Sequence, residues 1–195
     1  LIRQLELMLK KPPFLTDIIN ELATSNSESS YKLLFNYLFD PLQRFAYCLL
    51  KSRELSEEVA SDVMFILWQR RADLLLVDNV QAYAFIIARN LSLNIIKKNS
   101  KSDVVSIDDI SIDIFLDNNT PEQILISTEL RAKIEMAIDK LPPKGKLVFK
   151  LIKEDGFSYK EVAEILNISV KTVDAHLVSA LGKITVVLNK EFNLA

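Results

Sequence analysis

The stretch SYKEVAEILNISVKTVDAHLVSAL, residues 158–181, holds two helix starts with a corner between them. Ser158 and Glu161 form a capping-box pair, in which a hydroxyl and a carboxylate satisfy backbone N–H groups that the first helical turn leaves without partners. Asn167 tolerates the left-handed backbone that a tight corner needs, and Ser169 is placed to cap the next helix. Along that helix Val173, Leu177, Ala180 and Ile184 fall on one face, which leaves Lys171, Thr172, Ala175, His176 and Ser179 on the other. Two helices, a short corner and a small hydrogen-bonding outer face make the helix-turn-helix layout, here residues 158–184, whose second helix enters the major groove of DNA. An ordinary helical hairpin with a solvated polar face has the same spacing, so both readings stand at this point.

Helical periodicity also dominates the first hundred residues. Leu34, Leu38, Leu42, Phe45 and Leu49 form one stripe, and Asp40-Pro41 offers either a helix start or a kink within it. Ser56 is expected to cap a helix with Glu57 and Glu58 in its first turn and Ala60, Val63, Met64 and Leu67 inward. A further helix opens near Asn79, with Ala84, Ile87, Ala88, Leu91 and Ile95 on one face. A short helix around Leu15 to Leu22 precedes them.

From residue 102 to 119 the periodicity fails, and the segment carries five aspartates without a Lys or Arg. It reads as an acidic linker that docks along a surface; a short strand is the other reading, but no partner strand is visible. Thr120, Pro121 and Gln123 then mark a new helix start. The fold class expected is therefore all-α: a three- to four-helix bundle in residues 1–101, the linker in 102–119, and a second helical domain in 120–195. In the second domain Pro142 and Pro143 precede a helix with Leu147, Val148 and Leu151 inward, which Gly156 ends.

Charge speaks to partners. The whole chain has 24 basic and 26 acidic side chains, a poor match for a protein that grips nucleic acid by charge alone. Residues 140–190, however, hold nine lysines against five acidic residues, an excess of four positive charges that the linker offsets in the total. A segment so modestly basic, with Asp174 on the outer helix itself, is expected to bind DNA weakly by itself.

Other classes receive little support. No nucleophile–base pair, metal-ligand cluster or phosphate-cradling glycine loop is visible, so neither catalysis, a metal nor a cofactor is expected. His176 is the only histidine, and it has no second ligand near it in the sequence. Cys48 is the only cysteine and reads as a buried thiol, which points to the cytoplasm. Charged residues interrupt every apolar run, so direct membrane insertion is not expected. The opening LIRQLELMLKK lacks both the layout of a secretory signal and an initiator Met, and it is read as a trimmed start.

Three segments resemble one family. YAFIIARNLSLNIIKK, residues 83–98, is similar to the promoter-melting helix of extracytoplasmic-function sigma factors of the sigma-70 family. SEEVASDVMFILWQ, residues 56–69, resembles the helix that precedes it in that family, and residues 141–184 resemble the family's C-terminal domain. TPEQIL looks like the usual lead into that domain. The order is the family's, from about Tyr31 to Leu188, and the pattern resembles the branch typical of Bacteroidetes.

The resemblance implies a dissociable subunit of bacterial RNA polymerase without catalysis of its own. Asp62, Phe65, Ile66 and Gln69 stand where the family docks on the clamp helices of the largest polymerase subunit. Arg89, Asn90, Asn94, Lys97 and Lys98 stand where it captures the unwound minus-ten strand, with the base pocket in the preceding loop, about Val77 to Gln81. Ser169, Lys171, Thr172, Ala175, His176 and Ser179 match the face that reads the minus-thirty-five duplex. An anti-sigma factor is a further partner that the family often has. The chain departs from the family at Ser61, where Gln is frequent, and at Asn167, where Gly is usual. It also has few arginines on the last helix. The rivals are a free-standing helix-turn-helix regulator, which does not need polymerase, and a pure interaction protein. Binding to core polymerase separates the lead reading from both.

Overall fold

The computed structural model describes residues 13–99, 107, 112, 133 and 136–192, and it divides into two compact units between Val105 and Ser106. Every regular element among the described residues is helical.

In the N-terminal unit, α1 (Pro13–Ser25) buries Leu15, Ile18, Ile19 and Leu22, the spacing of a single helix face. Asn26 turns the chain with φ 52°, and Ser27 caps α2 (Glu28–Leu50) by accepting from the Ser30 N–H at 3.2 Å. Helix α2 is the centre of the unit, packed against α1, α3 and α4, and it buries the expected stripe of Leu34, Leu38, Leu42, Phe45 and Leu49. It runs unbroken through Pro41, so the proline neither starts a helix nor stops one. An interior proline costs an isolated helix about 3 kcal/mol, and burial of the stripe on three neighbouring helices offsets this.

Lys51, at φ 53°, ends α2 and aims the chain into α3 (Arg53–Gln69). The cap of α3 is Ser52, whose hydroxyl accepts from the Leu55 N–H at 3.3 Å; Ser56, expected in that role, is one turn too late. Ser56 is fully buried and its hydroxyl donates to the Ser52 carbonyl. The first-turn acid is Glu54, and the inward face is Val59, Ala60, Val63, Met64 and Leu67. After a 3-10 turn (Asp73–Leu76), Asn79 caps α4 (Val80–Asn99) by accepting from the Ala82 N–H at 3.2 Å. The buried face of α4 is Val80, Ala82, Ala84, Phe85, Ala88 and Ser92, while Ile87, Leu91 and Ile95 are half-buried. Phe85 packs on Phe45 with ring centroids 5.0 Å apart, so it is a core residue.

In the C-terminal unit, residues 136–139 are helical, and Ile138 and Leu141 join Ala180 in a core lined also by Phe149 and Ile184. Helix α5 (Pro143–Lys153) opens on a proline, needs no first-turn donor there, and packs on α7. Gly156, at φ 72°, carries the turn into α6 (Tyr159–Leu166), and α7 (Val170–Phe192) follows. Of the segment 102–119, read as an acidic linker, only Ile107 and Ile112 are described; both are buried. The helix start expected at Thr120 lies outside the described residues. The Ile112 carbonyl accepts from Lys146 Nζ at 2.9 Å.

Candidate nucleic-acid interface

The outer face of α4 is set by how firmly its inner face is held. Asn79 fixes its first turn, Phe85 and Ala88 seat it on α2, and the Ser92 hydroxyl donates back to the Ala88 carbonyl at 2.8 Å. That orientation leaves Asn90, Asn94, Lys97 and Lys98 exposed and Arg89 half-buried. Arg89 donates from Nε and Nη2 to the Asn90 Oδ1 at 3.2 and 2.7 Å, which holds the guanidinium against the Asn90 amide. Lys97 and Lys98 occupy the last turn, where the helix dipole favours cations and where they also suit phosphates.

A shallow depression of about 440 Å³ lies between α3 and α4, lined by Glu58, Asp62, Leu91, Asn94, Ile95 and the two lysines. The structure thus brings Asp62 together with Asn94, Lys97 and Lys98, which the sequence placed on two separate motifs. It also brings in Glu58, which the sequence suggested only as a first-turn acid. Along the rest of α3, Gln69 is exposed, Ile66 is half-buried, and Phe65 stands 56% exposed, the most exposed large apolar residue of the helix. Trp68 belongs to the fold: its ring meets Tyr31 edge-on at 4.9 Å and carries the Arg71 guanidinium 4.6 Å from its centre.

The loop ahead of α4 is tied down. Leu74 is buried beneath it, while Leu75 and Leu76 face solvent, Leu76 at 86% exposure. Tyr37 on α2 donates its hydroxyl to the Gln81 Oε1 at 3.2 Å, and burial pushes the Tyr37 phenol above the ordinary tyrosine range, so it remains a donor at neutral pH. The sequence did hold a signal for this loop: three consecutive leucines cannot all be buried in a single 3-10 turn.

The C-terminal unit follows the capping chemistry read from its residues. The Ser158 N–H donates to Glu161 at 2.8 Å, and the Glu161 N–H donates to the Ser158 hydroxyl at 3.3 Å. Asn167 has φ 54°, and the Ser169 hydroxyl accepts from the Thr172 N–H at 3.0 Å. Val173, Leu177 and Ala180 are buried, Ile184 is half-buried, and Lys171, Ala175 and Ser179 are exposed on the opposite face. Two residues of that face have other work. Thr172 shares a 2.7 Å hydrogen bond with Ser169, and His176 is half-buried against the start of α5, where a Cβ on Gly145 would lie 3.6 Å from its Nδ1.

Fewer lysines are open to a ligand than the count implies. Lys146 is buried and donates to Asp139 at 3.1 Å as well as to the Ile112 carbonyl. Lys150, 3% exposed, is held by Glu154 at 3.1 Å and Asp155 at 3.2 Å. Both ammonium groups are spent on these partners, which leaves them poorly placed for a phosphate. A signal for this was present: Lys146 and Lys150 share a face one turn apart, and Glu154 follows Lys150 by four residues.

No described helix is long and apolar enough to cross a membrane. Residues 34–102 match the family model for Sigma-70 region 2, and residues 131–184 match that for Sigma-70, region 4. The chain is 23% identical over 138 residues to the ECF RNA polymerase sigma factor SigE of Mycolicibacterium smegmatis, covering 71% of this chain and 53% of that protein. It is 26% identical over 145 residues to the ECF RNA polymerase sigma factor SigW of Bacillus subtilis, covering 71% and 78%. The chain thus spans about half the length of the first relative. Among solved structures, the sigma factor RpoE of Bartonella quintana, in complex with the anti-sigma factor NepR, aligns with a TM-score of 0.57 at 21% identity, covering 82% of this chain and 96% of that one. CnrH, in complex with the cytosolic domain of CnrY, aligns at 0.53 with 16% identity, covering 89% and 96%.

Proposed function

Because this chain belongs to the sigma-70 family, in its extracytoplasmic-function branch, we propose that it joins core RNA polymerase and directs it to a promoter. In this reading α3 docks on the clamp helices of the largest polymerase subunit through Asp62, Phe65, Ile66 and Gln69. The exposure of Phe65 carries the reading: an aromatic ring left bare on an otherwise seated helix, between an acid and an amide, suits a protein partner.

Helix α4 then holds the opened minus-ten strand. Lys97 and Lys98 meet phosphates, Arg89 and Asn90 act as a pair, and Asn94 presents an amide able to pair with a base edge. Opening the duplex costs stacking energy, and capture of an unstacked base in the loop ahead of α4 offsets it. The outer face of α7 reads the minus-thirty-five duplex, with Lys171, Ala175 and Ser179 foremost and Ser169, Thr172 and His176 at its edge. With Lys146 and Lys150 withdrawn into ion pairs, this face grips weakly by itself. Mounting both contacts on one polymerase supplies the missing affinity through effective concentration.

The protein acts in the cytoplasm as a subunit, without a cofactor or reaction of its own. One fold-related structure holds an anti-sigma factor, which supports a partner of that kind here. A free-standing regulator would leave the Phe65 face and the region 2 match without a purpose.

Run-off transcription with core polymerase from the same organism, on the DNA upstream of its own gene, tests the reading. A discrete start site is expected with the wild type and not with Asp62→Arg. Folded wild-type protein that neither binds core polymerase nor yields a start site would sink it.

A further inference from the structure

Two adjacent arginines at the end of α3 are held by different partners, one on α4 and one at the α1–α2 corner. Arg70 Nη1 donates to the Tyr83 hydroxyl at 3.1 Å, which closes the neck of the loop from residue 70 to the first turn of α4. Arg71 has other partners. Its Nε donates to the Asn26 Oδ1 at the α1–α2 corner, its Nη1 donates to the Trp68 carbonyl at 2.9 Å, and its guanidinium lies on the Trp68 ring. Asn26 is itself fixed, since its φ of 52° makes it the corner residue between two helices. Between the two arginine clamps the loop is pinned by buried Leu74, by the Asn79 cap and by the Tyr37–Gln81 bond. A segment from Asp73 to Gln81 tied at so many points has little freedom left to lose when a ligand arrives.

Resting on the minus-ten reading given above, we propose that Arg70 and Arg71 are positioning residues, which touch no base themselves but hold the loop in the shape that receives the opened strand. Both lie outside the residues assigned to polymerase or DNA. Their partners, Asn26 at the α1–α2 corner and Tyr83 on α4, are separate, so the two clamps act independently and in different degree. Arg71 is the stronger: it is half-buried and forked on two acceptors and a ring, whereas Arg70 is exposed with a single bond.

The test uses the full chain bound to core polymerase and a labelled single-stranded oligonucleotide carrying the minus-ten element of the mapped promoter, matched or with one base changed. The reading is the ratio of the two affinities, with core affinity and thermal midpoint measured alongside. Arg71→Met is expected to lower the ratio about tenfold, as a small displacement of contact groups does. Arg70→Met and Tyr83→Phe should each lower it about threefold, the scale of one exposed hydrogen bond, and the two together no further. Core affinity should hold throughout. Should Arg71→Met fail to fold, Tyr83→Phe decides, since it removes only a hydroxyl. Undiminished ratios in Tyr83→Phe and Arg70→Met overturn the proposal, whatever happens to the midpoint. A wild type that shows no base preference at all overturns the minus-ten reading instead.

Discussion

Lysine does opposite work in the two units. In the N-terminal one, the buried polar residues among those described are Ser30, Ser56 and Ser92, each bonded within its own neighbourhood, and Lys97 and Lys98 are exposed at the end of α4. In the C-terminal one, Lys146 and Lys150 are inside, neutralised by Asp139, Glu154 and Asp155. The first unit spends its positive charge on its surface and builds its core from apolar contact. The second builds part of its core from charge and keeps its remaining lysines, Lys153, Lys160, Lys171 and Lys183 among them, on the surface. Counting lysines along a sequence treats these as equal, and they are not.

The contrast breaks most visibly at Lys150. Lys150→Ala strands two carboxylates that are largely out of water, and it should cost the C-terminal unit about 3–5 kcal/mol, measured by amide exchange of α5 against denaturant. Lys97→Ala, by comparison, should move stability by less than about 0.5 kcal/mol. If both substitutions cost the same, the distinction between structural and working lysines is false.

Salt sharpens it next. Replacing Lys97 and Lys98 by Gln should flatten the salt dependence of minus-ten strand binding by a slope of about 1.4, at roughly 0.7 for each single-strand phosphate contact. Lys146→Met should leave the slope for duplex binding by the other unit unchanged. A fall there would mean that the buried ammonium reaches DNA after all.

Caps give a smaller effect of the same kind. Ser169→Ala should cost α7 about 1 kcal/mol through loss of its bond to the Thr172 N–H. The same change at Ser52 should weaken α3 comparably, whereas Ser56→Ala, which removes no cap, should cost less. Thermal unfolding of the three variants ranks them.

The least effect is set by pH. The Glu54 carboxyl lies below the ordinary carboxylate range, chiefly because its own backbone N–H donates to it and next because the Ser52 hydroxyl does. A depressed folded-state value means that the carboxylate adds stability above the ordinary Glu range, and that this is lost as pH falls through the folded value. Acid titration of wild type against Glu54→Gln should therefore converge at low pH and separate slightly near neutrality.

Much of this was legible from residues alone, and the reason is locality. The capping box at Ser158 and Glu161, the corner at Asn167, the cap at Ser169 and the inward stripe of α2 each depend on residues within a few positions of one another. Where two local solutions compete, the reading slipped: Ser52 and Ser56 are one turn apart, and only the left-handed Lys51 before the former decides between them. Partners distant in sequence were not legible. Periodicity places Lys150 and Lys146 on a face but does not say what waits there, and Arg71 meets Asn26 only because α1 and α2 fold back on each other. The outward face of α7 was read correctly as exposed at Lys171, Ala175 and Ser179, yet His176 and Thr172 are partly occupied by the fold that presents them.

The bond from Lys146 to the Ile112 carbonyl has a consequence for how such a chain drifts over generations. A carbonyl is the same in every residue, so the ammonium holds the segment without regard to the side chains on either side. The buried Ile112 side chain alone fixes which residue arrives there. A contact secured in this way outlasts changes of side chain, provided that an apolar residue still fills the site.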